Sequence, residues 1–396
     1  MSKYPSLILH RGKTHAVKRF HPWVFSGAVK RFDKGLQGGD VVEIHSEDGE
    51  YLGIGHYGAG SVSARIFSFQ REDDLQDLWV RRLQNAYDVR KAAGLAGSEH
   101  TNAYRLVYGE GDGLPGMVID WYNGTAVIQA HSTGMHRERH NFAEALKVVY
   151  GSELKAVYDK SGEALRKADE EVLAHAGGYL WGKEETDLIK ENNHQFRINW
   201  ETGQKTGFFI DQRDNRDLLG KYSSGKKVLN TFCYSGGFSV YALHNNAALV
   251  HSVDSSAKAI DLTNENVALN GNADKHQAYV ADVFDFMKNA DEDYDIIVLD
   301  PPAFAKSQNA RHTAIKAYKR LNMAAIKKIK SGGIIFTFSC SQVVDVEMFT
   351  GAVTSAAIEC GKKVRVLHRL SQPADHPVSI YNPEALYLKG LVLYIE

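Results

Sequence analysis

From about residue 200 onward, apolar runs of strand length alternate with segments of helical length. The five apolar runs are KVLNTF, ALVHSVD, HQAYVAD, YDIIVLD and GGIIFTFS, and a helix is predicted over Ser256–Asn270 with Gly271 after it. Strands that alternate with helices predict a parallel, doubly wound α/β sheet. In such sheets, ligands bind outside the carboxyl ends of the strands. The residues that end each run are therefore the first candidates for a functional site.

Three successive runs end in an aspartate, namely Asp254, Asp282 and Asp300, the last within the segment DPPAF. A single aspartate in such a position is most often a helix N-cap. Three in succession favour a ligand site, in which Asp254 would accept hydrogen bonds from both hydroxyls of a ribose. The first run is followed by CYSGGFS, where Gly236 and Gly237 open the next helix and allow a ligand to approach the backbone closely.

The loop after the first run indicates which nucleoside ligand is bound. A dinucleotide requires the spacing GxGxxG, and a nucleoside triphosphate requires GxxxxGK[ST]; neither occurs at this position. S-adenosylmethionine has a ribose and an adenine but no phosphate, so it fits a site with a carboxylate and no phosphate cradle. The sequence therefore predicts S-adenosylmethionine as the cofactor. The cysteines form no CxxC pattern, and no metal site is predicted.

The part of the chain before residue 190 has a different pattern. Residues 1–73 contain short β-rich runs such as VVEIHS and SVSARIFSF, which predict a small β-barrel domain. Residues 74–180 begin with apolar residues at helical spacing, continue with strand-rich segments and include a helix around Phe142–Val149, which together predict an α+β middle domain. The α/β domain is predicted over residues 190–396.

Charge is balanced over the chain but uneven along it. Lys and Arg number 47 against 48 Asp and Glu, a net charge of -1, so global charge does not indicate a nucleic-acid binder. Two stretches, 1–30 and 305–330, nevertheless contain basic residues and no acid. Their basic residues are Lys3, Arg11, Lys13, Lys18, Arg19 and Lys30 in the first, and Lys306, Arg311, Lys316, Lys319, Arg320, Lys327, Lys328 and Lys330 in the second. One such run usually marks a solvated face, but two favour a polyanionic partner.

Two broad classes of protein are disfavoured. No apolar run approaches the roughly 18 residues of a membrane-spanning helix, so no membrane partner is expected. Three cysteines do not make a disulfide framework, which favours a reducing, cytoplasmic location.

Several longer segments together resemble one family. They are HPWVFSGAV (21–29), YRLVYGEGDGLPGMVID (104–120), QKTGFFIDQRDNR (204–216), LNTFCYSGGFS (229–239), DPPAF (300–304), FSCS (338–341) and ADHP (374–377). Over nearly its full length the sequence resembles the bacterial large-subunit ribosomal RNA (cytosine-carbon-5) methyltransferases. The resemblance implies an RNA-binding PUA-like domain, a middle domain and a Rossmann-like class I methyltransferase domain, with 23S ribosomal RNA as partner.

The resemblance also assigns roles to individual residues. The cofactor loop would comprise Phe232, Tyr234, Ser235 and Gly236, with Asp254 on the ribose and Asp282 on the adenine side. Lys205, Phe209, Asp211 and Arg213 would surround the methionine moiety and the rim of the site. Cys340 would be the catalytic nucleophile, and Asp300 would hydrogen-bond the edge of the base.

A cysteine suits this reaction because carbon 5 of cytosine is a poor nucleophile. A thiolate that adds to carbon 6 turns the ring into an enamine-like system whose carbon 5 attacks a methyl group. Many RNA cytosine methyltransferases have a second cysteine in the fourth-strand loop, but here Pro302 and Ala303 occupy it. The group that removes the carbon-5 proton is therefore not assigned. Cys233 is a poor substitute, and Cys360 is expected to be structural.

Two alternatives remain open. The same fold methylates exocyclic nitrogens of guanine or adenine without a covalent step, with DPPAF holding the amino group. An RNA-binding module with a vestigial methyltransferase half is the other alternative, and the intact set Asp254, Asp282, Asp300 and Cys340 argues against it. The sequence does not give the oligomeric state, so a homodimer also stays open.

Overall fold

The structure is a computed structural model that describes residues 3–165, 174–183, 186–290, 293–305 and 307–396. Two compact units divide the chain, and neither is a single stretch of sequence. The first comprises Met1–Ile189, Asn199–Ile210 and Ala374–Ala385, and the second comprises Lys190–Ile198, Asp211–Pro373 and Leu386–Glu396. Lys306 of the second basic stretch and residues 166–173 of the predicted middle domain lie outside the described residues. The domain boundaries 1–73, 74–180 and 190–396 stay predictions.

The first sheet of the first unit is a curled β sheet near the N-terminus. Its elements are β1 (Ser6–Leu9), α1 (His15–Lys18), β2 (Trp23–Phe25), β3 (Val29–Phe32), β4 (Val41–Ser46), β5 (Tyr51–Tyr57) and β6 (Val62–Ser68). The six strands lie in the order β2-β6-β5-β4-β1-β3. Irregular registers interrupt the pairings β1–β3, β4–β5 and β5–β6, and such bulges bend a sheet. Alternate apolar residues such as Leu7, Leu9, Val42 and Ile44 are buried beneath it. The predicted small N-terminal β module is confirmed.

A second sheet of the first unit packs against helices. Its elements are α2 (Leu75–Ala92), β7 (Ala103–Tyr108), β8 (Met117–Tyr122), β9 (Thr125–Ala130), α3 (Thr133–Arg137), α4 (Arg139–Tyr150), β10 (Ala156–Asp159) and β11 (Gly178–Gly182). The strand order is β11-β10-β9-β8-β7. Trp79 of α2 is fully buried, and its ring lies 5.0 Å from the ring of Phe67 and 5.0 Å from that of Phe142 in α4. The predicted mixture of helix and strand is confirmed.

The second unit contains the alternating pattern that the sequence predicted. A two-stranded sheet, β12 (Leu188–Glu191) and β13 (His194–Arg197), precedes the alternating pattern in the chain. The elements of the alternating pattern are α5 (Arg213–Tyr222), β14 (Lys227–Thr231), α6 (Gly237–His244), β15 (Leu249–Asp254), α7 (Ala257–Asn270), β16 (His276–Val280), α8 (Val283–Asn289), β17 (Tyr294–Leu299), α9 (Arg311–Lys328), β18 (Ile329–Ser339), α10 (Val346–Glu359), β19 (Val364–Leu370) and β20 (Lys389–Ile395). The helix predicted over Ser256–Asn270 is α7, with Ser256 as its N-cap.

The seven-stranded sheet has the order β16-β15-β14-β17-β18-β20-β19. The five predicted strands β14 to β18 pair in parallel, which confirms the Rossmann-like α/β class. The two strands that the sequence did not identify, β19 and β20, are antiparallel, and β20 lies between β18 and β19. This insertion brings residues near the end of the chain beside the end of β18.

The central strands are apolar almost throughout because they lie in the middle of the sheet. Val228 and Leu229 of β14 and Ile296–Leu299 of β17 are each at most 1% exposed. Near-continuous buried runs are typical of parallel strands that are covered on both faces. Polar residues stand at or directly after the ends of these strands. The carboxyl ends of β14, β15, β17 and β18 therefore form the edge of the sheet that carries the candidate site.

Candidate active site

The loop after β14 has an unusual backbone. Phe232, Tyr234 and Gly236 all have positive φ angles, of 55°, 46° and 75°. Positive φ is strained for residues with a Cβ, and such strain is concentrated at functional sites. At Gly236 a Cβ would lie 2.8 Å from the side chain of Thr263, so only glycine fits there. Positive φ angles thus occur at every second residue of the loop, and contacts with the surrounding structure are needed to hold this backbone conformation.

Helix α7 provides part of that support through two fully buried polar side chains. The hydroxyl of Thr263 donates to the carbonyl oxygen of Tyr234 at 3.0 Å, and the amide of Asn266 donates to that of Ser235 at 2.9 Å. Sequence analysis did not single out these two residues. Thr263 and Asn266 are three residues apart, on the helix face that also buries Ile260 and Val267. Two polar residues at this spacing on an otherwise apolar face are the signal that would have identified them.

Asp254 ties this loop to the end of the second strand. One of its carboxylate oxygens accepts from the backbone N–H of Tyr234 at 3.1 Å, and the other accepts from that of Ser256 at 2.9 Å. An ionised carboxylate has about four acceptor positions, so capacity remains for two hydroxyl donors. The residues present thus fit a ribose at this position.

Asp282 is the N-cap of α8. Its Oδ1 accepts from the backbone N–H groups of Phe284 at 2.8 Å and Asp285 at 3.1 Å. The structure therefore shows the ordinary capping role for this aspartate. The side chain is exposed at the same edge of the sheet as Asp254.

Asp300 directly follows β17 and has an altered acidity. Burial and the negative charge of Asp211 raise its pKa to about 7, while a hydrogen bond from Gln212 and the charge of Arg216 act in the opposite direction. Near neutral pH this carboxyl group is therefore divided between its acid and its ionised form. Perturbed carboxyl groups of this kind are typical of active sites.

Asp211 is the like-charged neighbour of Asp300. One of its oxygens accepts a hydrogen bond from the hydroxyl of Tyr387. The other, Oδ1, is buried and accepts no hydrogen bond from the described residues. A buried carboxylate oxygen without a donor is costly, so this atom fits the amino group of a bound ligand such as the methionine moiety of S-adenosylmethionine.

Cys340 is the first residue after β18. Its Sγ lies 3.9 Å from the carbonyl oxygen of Pro301, so the FSCS segment and the DPPAF loop meet. Burial, together with the charges of Asp300 and Asp211, raises the pKa of this thiol to about 12. In the protein alone, Cys340 is therefore protonated at neutral pH.

The turn that carries Cys340 is anchored on both sides. The hydroxyl oxygen of Ser341 lies 2.9 Å from that of Tyr318 and accepts from the backbone N–H of Ala305 at 3.3 Å. On the opposite side, the ammonium group of Lys389 donates to the carbonyl oxygen of Ser341 at 2.7 Å. Sequence analysis missed Lys389, which is separated from Cys340 by the whole of α10 and β19.

Arg213 lies in an ion-pair cluster of the second unit. Its Nε is 3.5 Å from a carboxylate oxygen of Glu191, and Arg216 binds the same carboxylate at 2.9 and 2.7 Å. Both arginines are nearly fully buried. Both arginines belong to α5, so the cluster joins this helix to Glu191.

Lys205 and Phe209, the other two residues predicted for the rim, belong to the 199–210 segment of the first unit. Lys205 has a positive φ of 52°, a strained conformation for a residue with a Cβ.

The first basic stretch is partly neutralised by its own unit. Arg11, Lys18 and Lys30 form ion pairs with Asp48, Glu50 and Glu47 at 2.5, 2.5 and 2.6 Å. Within the described part of the chain, Lys13 and Arg19 have no acidic group within ion-pair distance. Phe20, next to Arg19, is half exposed and has a φ of 64°. Fewer basic residues of this stretch are therefore without an acidic partner than the sequence alone suggested.

Comparison with known proteins gives two family matches. A model described as PUA-like domain matches residues 7–69, and a model described as S-adenosylmethionine-dependent methyltransferase matches residues 105–391. Ribosomal RNA large subunit methyltransferase I of Aeromonas hydrophila is 38% identical over 397 residues, which cover 98% of each chain.

Two solved structures extend the likeness to the fold. SMU.776, described as a methyltransferase and solved with SAH, has a TM-score of 0.84 at 25% identity over 98% of this chain and 99% of its own. A protein of Streptococcus mutans described as a SAM-dependent methyltransferase has a TM-score of 0.83 at 25% identity, with the same coverage. Among the described residues, no helix combines the length and the apolar character that crossing a membrane requires.

Proposed function

Because the chain belongs to the S-adenosylmethionine-dependent methyltransferases, and among them to the family of the ribosomal RNA large subunit methyltransferases I, we propose that it methylates carbon 5 of a cytosine in 23S ribosomal RNA through a covalent adduct with Cys340. The enzyme class and the cofactor follow from the family itself. The base, the covalent step and the residues that perform it are the proposal. An RNA substrate of this kind favours the cytoplasm as the place of action.

The observation that carries the proposal is the position of Cys340 beside the DPPAF loop. Its Sγ is 3.9 Å from the Pro301 carbonyl oxygen, and the charge of Asp300 acts on its pKa. A sulfur nucleophile and a carboxyl group that titrates near pH 7 are thus at the same edge of the sheet. Adduct formation requires this combination, whereas transfer to an exocyclic nitrogen requires no sulfur.

Most of the residues proposed to hold the cofactor belong to the second unit. The methyl group of the cofactor is the electrophile of the reaction. The strained loop Phe232, Tyr234, Ser235 and Gly236 would present its backbone, Asp254 would bind the ribose and Asp282 would lie on the adenine side. Asp211 would accept a hydrogen bond from the amino group through its buried Oδ1. Arg213, Lys205 and Phe209 stay proposals for the surroundings of the methionine moiety and the rim of the site.

Formation of the adduct uses two groups of this chain. The ionised sulfur of Cys340 adds to carbon 6, the electron pair of the ring moves towards nitrogen 3, and the acid form of Asp300 gives that nitrogen its proton. Carbon 5 would then accept the methyl group, and the electrons of the bond that breaks would stay on the sulfur of the cofactor, which leaves as S-adenosylhomocysteine. Loss of the carbon-5 proton to a base, departure of the Cys340 sulfur from carbon 6 with its electron pair, and return of the nitrogen-3 proton to Asp300 restore the ring and leave 5-methylcytosine.

The experiment is covalent trapping. RNA with 5-fluorocytosine should form a stable adduct with the wild-type enzyme, because fluorine on carbon 5 does not leave as a proton. Cys340→Ser should form no adduct and lose essentially all turnover, since a serine hydroxyl is not ionised at pH 7. Cys233→Ser is the matched control and should trap RNA normally. A Cys340→Ser enzyme that methylates at the wild-type rate would instead support methylation of an exocyclic nitrogen.

A further inference from the structure

Lys389 is a buried lysine beside the proposed nucleophile. It is the first residue of β20, is only 5% exposed, and pairs with Ser339 in the antiparallel register of β18 and β20. Its ammonium group donates to the carbonyl oxygen of Ser341 at 2.7 Å. Its partners therefore lie immediately before and immediately after Cys340.

The environment of Lys389 differs from that of a structural ion pair. Its hydrogen-bond acceptor is a carbonyl oxygen, not a carboxylate. The acidic residue whose charge acts on it, Asp345, is exposed and uses its side chain to cap α10 by accepting from the N–H of Met348. Burying an ammonium group without a bonded carboxylate is unfavourable. A neighbouring group that becomes negative during the reaction would offset this cost for Lys389.

We propose that Lys389 is a positioning residue of the methyl transfer, and that its positive charge stabilises the ionised form of Cys340 on which adduct formation depends. The thiol proton leaves to solvent, the electron pair stays on sulfur, and the adjacent ammonium compensates the new charge. This inference rests on the function proposed for Cys340.

The charges around Cys340 explain why such a residue is needed. Asp300 after β17 and Asp211 both oppose ionisation of the thiol, and Tyr318 of α9 contributes a further ionisable group on that side. Lys389 is the side chain whose charge lowers the pKa of Cys340, and Cys340 in turn raises that of Lys389. Burial nevertheless leaves Lys389 with a pKa of about 8, so it carries its charge at neutral pH.

The test measures ionisation of Cys340 directly, without RNA. The rate at which iodoacetamide alkylates Cys340 is followed by peptide mass spectrometry between pH 6 and 10, since only the thiolate reacts. Lys389→Gln keeps a donor for the Ser341 carbonyl but has no charge, and should slow alkylation at pH 7 about tenfold, the effect of one pKa unit. Lys330→Gln is the matched control. It removes a lysine at the other end of β18 that pairs with Asp295 at 3.4 Å, and should leave the rate unchanged.

Lys389→Arg supplies a second, independent outcome. Arginine keeps its charge at every pH used, whereas Lys389 loses its charge above about pH 8. This variant should match the wild type at pH 7 and be alkylated faster above pH 8. A Lys389→Gln variant with the wild-type profile, or identical wild-type and Lys389→Arg profiles up to pH 10, would overturn the inference. Absence of a 5-fluorocytosine adduct with wild-type enzyme would instead overturn the function proposed for Cys340 and leave the alkylation result standing.

Discussion

The carboxylate of Asp254 accepts a hydrogen bond from the backbone N–H of Tyr234 across 3.1 Å, and this contact joins the end of β15 to the strained loop after β14. The aspartate thus has two tasks, to hold the loop and to bind a ribose. The two tasks respond differently to substitution, which makes them separable.

We expect Asp254→Asn to keep only one of its two backbone contacts, to Tyr234 or to Ser256, through its single amide oxygen, and to lose the charge. Because hydrogen bonds to charged groups contribute about 1.5–3 kcal/mol, affinity for S-adenosylhomocysteine should fall roughly 10- to 100-fold, while the lost backbone contact should lower thermal stability by only about 1 kcal/mol. Isothermal titration calorimetry measures the first and thermal unfolding the second. Asp261→Asn, at an exposed position of α7, is the control. Unchanged affinity in Asp254→Asn would remove the ribose assignment.

Asp282 also has two roles to be distinguished, the observed helix cap and the proposed contact with the cofactor. Loss of an N-cap aspartate costs about 1 kcal/mol, so Asp282→Ala should lower stability. Asp282→Ser restores a capping oxygen and should recover that stability. If Asp282 also contacts the adenine side, Asp282→Ser will still bind S-adenosylhomocysteine more weakly than the wild type. Full recovery of both quantities would leave Asp282 with the cap alone.

Asp300 predicts a pH dependence of stability. Its pKa is about 7 in the folded protein and 3.8 for the ordinary group, so between these values the folded state binds more protons than the unfolded state. Stability from this group is therefore present at low pH and lost as the pH rises towards 7. Asp300→Asn should raise the melting temperature at pH 8, and the difference from the wild type should vanish near pH 4. Exposed Asp274→Asn should show no such trend. A constant difference across the range would contradict the altered acidity of Asp300.

The basic residues of the first unit predict a salt dependence. Lys13 and Arg19 lack acidic partners within the described residues, whereas Lys18 is held by Glu50 at 2.5 Å. Each phosphate contact contributes about 0.7–0.9 to the slope of log affinity against log salt concentration. The Lys13→Gln/Arg19→Gln double variant should flatten the slope for ribosomal RNA by about twice that amount, and Lys18→Gln should change it less. Lys258→Gln, in the second unit, is the control. A slope equal to that of the wild type would mark 1–30 as a solvated face.

The sequence allowed the parallel part of the sheet and its strand ends to be predicted, because each follows from local pattern. Asp254, Asp282 and Asp300 each end an apolar run of one strand. Cys340 was identified through its FSCS context, which also lies at a strand end. None of these inferences needed contacts between distant segments.

What could not be predicted depends on such contacts. Lys389 lies beside Ser339 and Ser341, the neighbours of Cys340, because β20 inserts antiparallel next to β18. Nothing in the pattern of LYLKGLVLYI fixes that register. The raised pKa of Asp300 likewise depends on burial in the folded protein and on the charge of Asp211, which lies far earlier in the chain. Electrostatic coupling between residues distant in sequence is a property of the folded arrangement, so composition and periodicity do not report it.

The division of the chain into two discontinuous units has a consequence for its synthesis. Arg90 is fully buried in the first unit, and its guanidinium donates to the backbone carbonyl of Asp375 at 2.8 Å, 285 residues later. The carboxylate of the same Asp375 accepts from the N–H of Arg105 at 3.0 Å. Residues 374–385 are made after most of the second unit, and residues 386–396 of the second unit follow them. Neither unit is therefore complete until these late segments have been made, and the hydrogen bonds that Arg90 and Arg105 make to Asp375 form only then.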